Sequence, residues 1–388
     1  MRRIAIVTGY GLSTGGTEKY LQTISCLLSK NDYFVDFYYI DSDKSKISNV
    51  KINMLKDNGV NLIPYQCDSV IIKRRYIKQK ESNFFNKFEG ADVIINGSCG
   101  YPEEPFTFIR KIPIIQTIHY VSGIDNQYNI ARTLHISEFS KNLWLKKGGD
   151  RMRIDMISHP ILIPQFKKID VRSKFNLSKD CFIFGMHQRD NDYIFSDIPL
   201  KAYKEIENEK TAFIMCGGSC KYREQAKKLQ LKNAFFIEST DDNNIIYSFL
   251  NALNVYTHGR FDGELNSTAL AEAMFFGLPI ITHPSEKFNG HLEVVKNNGF
   301  VANDSYEYSN YMKMLMQDKK TLDKCSSESL KIFEEKYNPE TQIKNLIRII
   351  NDVLENPYPQ KTRRILLDFG NRISNSIKRK LIIIEDRL

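Results

Sequence analysis

Short apolar runs recur along the chain, each closed by Gly, Asn, Asp or Pro, and between them apolar residues fall three and four apart. Ile4–Val7 is such a run and ends in Thr8-Gly9-Tyr10-Gly11, which reads as a buried strand followed by a loop. Thr17 is then placed to cap a helix whose Leu21, Ile24 and Leu28 share one face. Phe34–Ile40, Asp92–Ile95 and Ile112–Ile118 read as further strands. Arg132–Ile136 precedes a helix starting near Ser137, and Ile154–Ile157 leads into His159-Pro160 and Ile163-Pro164. After a linker at about 160–180 the pattern restarts. Phe182–Met186, Ala212–Cys216, Ala234–Ile237, Val255–His258 and Leu278–Thr282 read as strands, with a helix around Leu200–Ile206. Strands alternating with helices imply mostly parallel sheets covered on both faces. Two such halves of similar size predict two Rossmann-like domains facing a cleft, with ligands at the carboxyl ends of the strands.

The region Tyr306–Asn356 reads as helices. Beyond Pro357 and Pro359, Leu366, Phe369, Ile373, Ile377, Leu381 and Ile384 lie three or four apart with Arg and Lys between them. That is the pattern of a basic amphipathic helix. The expected division is a first domain at 1–165, a second at 166–338, a helix returning toward the first domain at 339–355, and a tail helix at 356–388.

Composition narrows the class. The chain has 388 residues, 42% hydrophobic and 26% charged, an ordinary globular balance for about two domains. The formal net charge is +9, of which +5 falls in Asn356–Leu388. So localised an excess points to an anionic surface more than to a general nucleic-acid binder, and the tail helix would either bind an anionic membrane face or pack its apolar side on the body of the protein. Seven cysteines are scattered, and only Cys216 and Cys220 are close, without a second pair at zinc-site spacing. They read as reduced thiols of a cytoplasmic protein. The apolar run after Met1-Arg2-Arg3 is too short for a signal peptide, and no run of about 18 apolar residues appears.

The most informative stretch is Gly259–Pro284. Glu264 and Glu272 have seven residues between them, Leu270, Ala273 and Met274 follow helical spacing, and Gly277 and Pro279 end the run. Ser267 is a candidate N-cap, which places Glu264 in the loop above the helix and Glu272 about two turns inside it. The amides of Asn266, Ser267, Thr268 and Ala269 then form a helix start suited to a diphosphate. A carboxylate on either side can accept hydrogen bonds from the hydroxyls of a sugar and a ribose.

Gly263-Glu264, the seven intervening residues, Glu272-Ala273-Met274, Gly277 and Pro279-Ile280-Ile281 resemble the donor signature of retaining GT-B glycosyltransferases, glycosyltransferase family 4 (glycosyl transferases group 1). Gly15-Gly16-Thr17-Glu18 is similar to that group's first-domain glycine loop, Thr117-Ile118-His119 to its cleft histidine, and Gly148 to Pro160 to its variable strand before the hinge. The resemblance spans about 1–355. It implies that Glu272 binds the donor ribose, that Glu264 contacts the donor sugar, and that Arg189 meets the diphosphate. Gly15, Gly16, Asn266, Ser267 and Thr268 would line the donor, and His119 would contact it from the first domain as the domains close. The expected enzyme is metal-independent and needs no cofactor beyond a UDP- or GDP-linked co-substrate. It takes a glycan or lipid-linked acceptor in the cytoplasm, at the inner face of the membrane if the tail binds there. The family's diphosphate lysine is missing, because Arg189 is followed by Asp190-Asn191-Asp192-Tyr193-Ile194-Phe195.

Each residue also has a plainer reading. Gly15-Gly16 and Gly217-Gly218 would serve as turns, and Glu264 and Glu272 as members of ion pairs. His119, His258 and Arg260 would be packing residues and Arg189 a solvated loop residue. Asp190-x-Asp192 fits a metal motif only in a single-domain fold, and Gly9-x-Gly11 lacks the third glycine of a dinucleotide fingerprint. Two rival functions stay open: a nucleotide-sugar epimerase of the same fold, or a non-catalytic protein that binds sugar nucleotides or membranes.

Overall fold

In the computed structural model the structure describes residues 1–9, 12, 15–41, 47–72, 76–82, 88, 90–109, 111–127, 129–357, 370 and 373. It divides into two compact units, one formed by 1–160 with 342–388 and the other by 161–341. The tail reading at 356–388 falls almost wholly outside the described residues. Among those described, no helix is long and apolar enough to cross a membrane.

The first unit contains β1 (Arg3–Val7), α1 (Gly16–Lys30), β2 (Phe34–Ile40), α2 (Asn49–Asp57), β3 (Asn61–Tyr65), β4 (Cys67–Ile72), β5 (Tyr76–Ser82) and β6 (Val93–Ser98). It continues through β7 (Ile114–Ile118), β8 (Ile130–His135), α3 (Glu138–Lys146) and β9 (Ile154–Met156). Seven strands form a parallel sheet in the order β3-β2-β1-β6-β7-β8-β9. The strands read as unbroken apolar runs because both faces are covered. Alternate residues go to opposite sides: Ile4, Ile6, Phe37 and Ile95 join one cluster, and Ala5, Val7, Tyr38 and Ile94 the other.

Three strands of this unit were not expected from the pattern. β3 is a short edge strand, Asn-Leu-Ile-Pro-Tyr, whose Pro64 cannot donate to a ladder and is tolerated only at an edge. β4 and β5 form an antiparallel pair with no regular alternation to announce it. The helix start also differs from expectation. Gly15, not Thr17, is the N-cap of α1 and offers no side-chain cap. A β-carbon at Gly15 would stand 2.1 Å from a Glu18 carboxylate oxygen. The acid in the first turn folds back over the helix start, which complements the helix dipole there.

The second unit contains α4 (Val171–Lys174), β10 (Phe182–Gln188), α5 (Ile198–Lys204), β11 (Thr211–Gly217), α6 (Cys220–Lys228), β12 (Ala234–Ile237), α7 (Asn243–Ala252) and β13 (Val255–Thr257). Next come β14 (Gly263–Glu264), α8 (Thr268–Phe275), β15 (Ile280–Thr282), β16 (Phe288–Asn289), β17 (Gly299–Val301), α9 (Ser305–Gln317) and α10 (Lys319–Lys336). Its parallel sheet runs β12-β11-β10-β13-β15-β17 around a single apolar cluster. β17 escaped the sequence reading because it is short and begins at Gly299, where a β-carbon would press within 1.8 Å of the Ile280 carbonyl. Finally α11 (Pro339–Glu355) places Ile343, Leu346, Ile349, Ile350 and Val353 in the same cluster of the first unit as Leu21, Ile24 and Leu28 of α1.

Candidate active site

In the second unit the strand order reverses at β10, with β11 and β12 on one side and β13, β15 and β17 on the other. Crossovers that leave in opposite directions open a crevice at the carboxyl ends of the central strands. There Gln188 Nε2 donates to the Gly259 carbonyl at 2.5 Å, tying the end of β10 to the loop after β13. The Tyr222 hydroxyl donates to Gln188 Oε1 at 3.0 Å and braces the same junction.

Above this edge lie β14 and α8. Ser267 is the N-cap of α8, its hydroxyl accepting from the Leu270 amide at 3.3 Å. Among the described residues the amides of Thr268 and Ala269 make no hydrogen bond, which leaves them available to an anion at the positive end of the helix. Asn266 Oδ1 accepts from the Tyr337 hydroxyl at 3.2 Å, while its buried Nδ2 has no partner among the described residues. Glu272 is the fifth residue of α8, so it sits one turn in rather than two.

Tight backbone packing fixes the Glu264 loop. Gly263 adopts φ +68°, and a β-carbon there would lie 1.8 Å from the Phe288 carbonyl. A β-carbon at Gly290 would lie 2.0 Å from the Leu265 carbonyl. Only glycine permits both approaches. The Glu264 carboxylate accepts from Arg260 Nη1 at 2.9 Å and from His258 Nε2 at 3.2 Å. Burial lowers the His258 pKa, so the neutral ring donates from Nε2, and Nδ1 accepts from the Thr282 hydroxyl at 2.8 Å. Arg260 also bonds both oxygens of Asp262, at 3.0 and 3.1 Å. Its charge is therefore balanced by two carboxylates.

Burial alone would raise the Glu264 carboxyl; the His258 hydrogen bond, the Arg260 charge and Ser267 outweigh it and hold the group down at about 2. The folded pKa thus lies below the unfolded value of about 4.3. The stabilisation is complete above that value and is lost as pH falls toward about 2. Thermal melts between pH 5 and 2 should therefore decline less steeply for Glu264→Gln than for the wild type. Parallel declines would contradict this.

Glu272 has a partner that the sequence reading missed. His187 Nε2 lies 2.9 Å from Glu272 Oε2, and His187 Nδ1 lies 3.1 Å from the Tyr256 hydroxyl. The available signal was the polar pair His187-Gln188 closing an otherwise apolar strand at its carboxyl end. Arg189 follows the last residue of β10, Gln188, is exposed, and has no carboxylate partner among the described residues. The next residues form a short turn in which Asp192 faces Lys221 Nζ of α6 at 3.9 Å. Gly217 and Gly218, at φ +72° and +80°, turn the chain out of β11.

The structure thus gathers Arg189, Glu264, Asn266, Ser267, Thr268 and Glu272 in the second unit, and places Gly15, Gly16 and His119 in the first. In that first sheet the order reverses between β1 and β6. His119 lies just past the end of β7, with its Nε2 3.0 Å from the Thr117 hydroxyl and its ring 5.0 Å from Tyr20 and 5.3 Å from His159. Burial, with His159 beside it, holds its pKa well below the usual value, so the ring is neutral. His119 Nδ1 and the Tyr20 hydroxyl are buried without partners among the described residues.

Residues 169–331 match the family model Glycosyl transferases group 1. The matched segment contains β10, β13, β14 and α8, and with them Arg189, Glu264, Asn266, Ser267, Thr268 and Glu272. About nine-tenths of the chain also matches solved GT-B structures. Anabaena HepE in complex with UDP and glucose aligns at 14% identity, covering 89% of this chain and 99% of that one, with a TM-score of 0.70. S. aureus TarM, a variant in complex with fondaparinux, alpha-GlcNAc-glycerol and UDP, aligns at 12% over 90% and 100%, with a TM-score of 0.65. WaaG, a glycosyltransferase involved in lipopolysaccharide biosynthesis, aligns at 12% over 89% and 99%, with a TM-score of 0.63. No curated protein sequence matches the chain. At these identities the likeness is one of fold: two Rossmann-like units with C-terminal helices, the GT-B architecture. Together the group 1 domain and the fold support a GT-B glycosyltransferase.

Proposed function

We propose that this protein is a retaining, metal-independent glycosyltransferase that moves a sugar from a UDP-sugar to a glycan or lipid-linked acceptor. One observation carries the reading: within the group 1 domain, two carboxylates at fixed positions flank the open N-terminus of α8. Glu272 takes the ribose hydroxyls, the α8 amides and Arg189 take the diphosphate, and Glu264 takes hydroxyls of the sugar. UDP as the nucleotide is supported by the HepE and TarM complexes. The Glu264 carboxylate is tied to Arg260 and His258, which suits it to orienting a sugar hydroxyl more than to attacking carbon. In the step proposed, the bond from the anomeric carbon to the diphosphate oxygen breaks. The acceptor oxygen bonds to that carbon on the same face, and its proton passes to the departing phosphate. Arg189 and the α8 amides stabilise the charge on the leaving group. The first unit takes the acceptor near His119, and the basic pattern of the tail suits a substrate held at an anionic membrane face.

The test is product stereochemistry. A purified α-linked UDP-sugar, incubated with the protein and a glycan acceptor panel in EDTA, should give an α-linked product by proton NMR. A β-linked product would overturn retention, and a requirement for added divalent metal would overturn metal independence. Release of an altered sugar without acceptor would favour epimerisation, and UDP binding without turnover a non-catalytic role.

A further inference from the structure

We infer that His187 is the positioning residue for the ribose-binding carboxylate, held in one tautomer by Tyr256. The inference rests on the donor reading above and adds a residue to it. Tyr256 stands on β13 beside β10 and is fully buried. Burial raises its phenol well above the usual value, so the hydroxyl keeps its single proton. It accepts from the His187 amide at 3.3 Å, and the ring Nδ1 lies nearer to it, at 3.1 Å, than the His187 carbonyl, at 3.3 Å. The Glu272 carboxylate can only accept, so the Nε2 that faces it is the donor, and Tyr256 holds the other ring nitrogen. That Nε2 points at Glu272 Oε2 across 2.9 Å.

Three residues separated by 69 and 85 positions in the chain therefore form one directed series, Tyr256 to His187 to Glu272. The Phe249 ring stands in a T-shaped arrangement with the imidazole, their centroids 6.3 Å apart. A carboxylate on a helix otherwise has rotamers to choose among, and fixing one of them prepares it for a ligand. With about four lone-pair positions it accepts from His187 and from ribose together.

The experiment is calorimetric titration of the full chain with UDP and with 2′,3′-dideoxy-UDP, using wild type, His187→Phe, His187→Gln and Tyr256→Phe. Hydrogen bonds to a charged acceptor predict that the wild type prefers UDP by about 30-fold. His187→Phe should reduce that preference to about threefold while holding dideoxy-UDP within about twofold, and His187→Gln, which keeps a donor, should restore most of it. Tyr256→Phe should fall between them. In turnover, the donor KM should rise with kcat within about threefold. Equal losses for both nucleotides would show a merely structural residue and overturn the inference. So would an unchanged preference in His187→Phe or, if that variant does not fold, in Tyr256→Phe. A wild type that binds UDP without any such preference would instead remove the ribose reading itself.

Discussion

Replacing Arg189 by alanine should lower kcat about 100- to 1000-fold, the scale at which a single preorganised donor to a developing anion acts. The residue follows β10 at the carboxyl edge of the sheet, is exposed, and has no carboxylate partner among the described residues. Its charge is thus available for a ligand, whereas that of Arg260 is taken up by Asp262 and Glu264. An exposed side chain of this kind contributes little to folding, within about 0.5 kcal/mol, so the melting temperature should hold while the rate collapses. UDP binding should weaken less than kcat, because charge on the diphosphate grows as the glycosidic bond breaks. Steady-state kinetics with a saturating donor reads this directly. A kcat within threefold of wild type would remove Arg189 from the mechanism. The loop after it lacks the lysine that the resemblance implies, which leaves Arg189 and the α8 amides as the proposed electrostatic support and makes the expected loss large.

Replacing Glu272 by alanine should raise the donor KM by about 10- to 100-fold and lower kcat/KM by about 100-fold, the range for lost hydrogen bonds to a charged acceptor. The substitution has a second effect that Arg189→Ala lacks. Glu272 is buried, and its removal leaves His187 Nε2 without its acceptor, at a cost of about 1–3 kcal/mol. A lower melting temperature is therefore expected together with the kinetic loss. Glu272→Gln separates the two effects. Its amide oxygen still accepts from His187, which recovers most of the stability, but it offers ribose less negative charge. KM and kcat both within threefold of wild type in the alanine variant would show that this carboxylate does not meet the donor.

Much of this arrangement was legible in the sequence for a local reason. Buried parallel strands must be apolar on both faces, so Phe34–Ile40 and Ala234–Ile237 appear as runs with clear ends, and the structure keeps those bounds. Ser267 was readable as a cap because capping uses a side chain three residues from the amide it meets. β3, β14, β16 and β17 were not readable. They are two to five residues long, and contacts with strands far along the chain hold them in place. The start of α1 failed for a related reason. The packing of Glu18 against Gly15, rather than the capping preference of Thr17, sets it.

The site divides in the same way. Spacing along the chain already placed Glu264 before a helix start and Glu272 inside the helix, because residues so close in sequence are positioned by the helix itself. Spacing could not show what those carboxylates touch. His187 meets Glu272 across 85 positions, and Tyr256 meets His187 across 69. These contacts exist only because β10 and β13 pair in a fixed register and α8 brings Glu272 to His187 near the end of β10. The sequence by itself determined two α/β halves, the capped helix and the two acids beside it, all products of local periodicity and capping. Only the tertiary structure decided that Arg189 is left without a carboxylate partner among the described residues, and that His187 stands behind Glu272. Hydrogen bonds and ion pairs depend on distances of about 3 Å, and such distances between remote residues are set by packing.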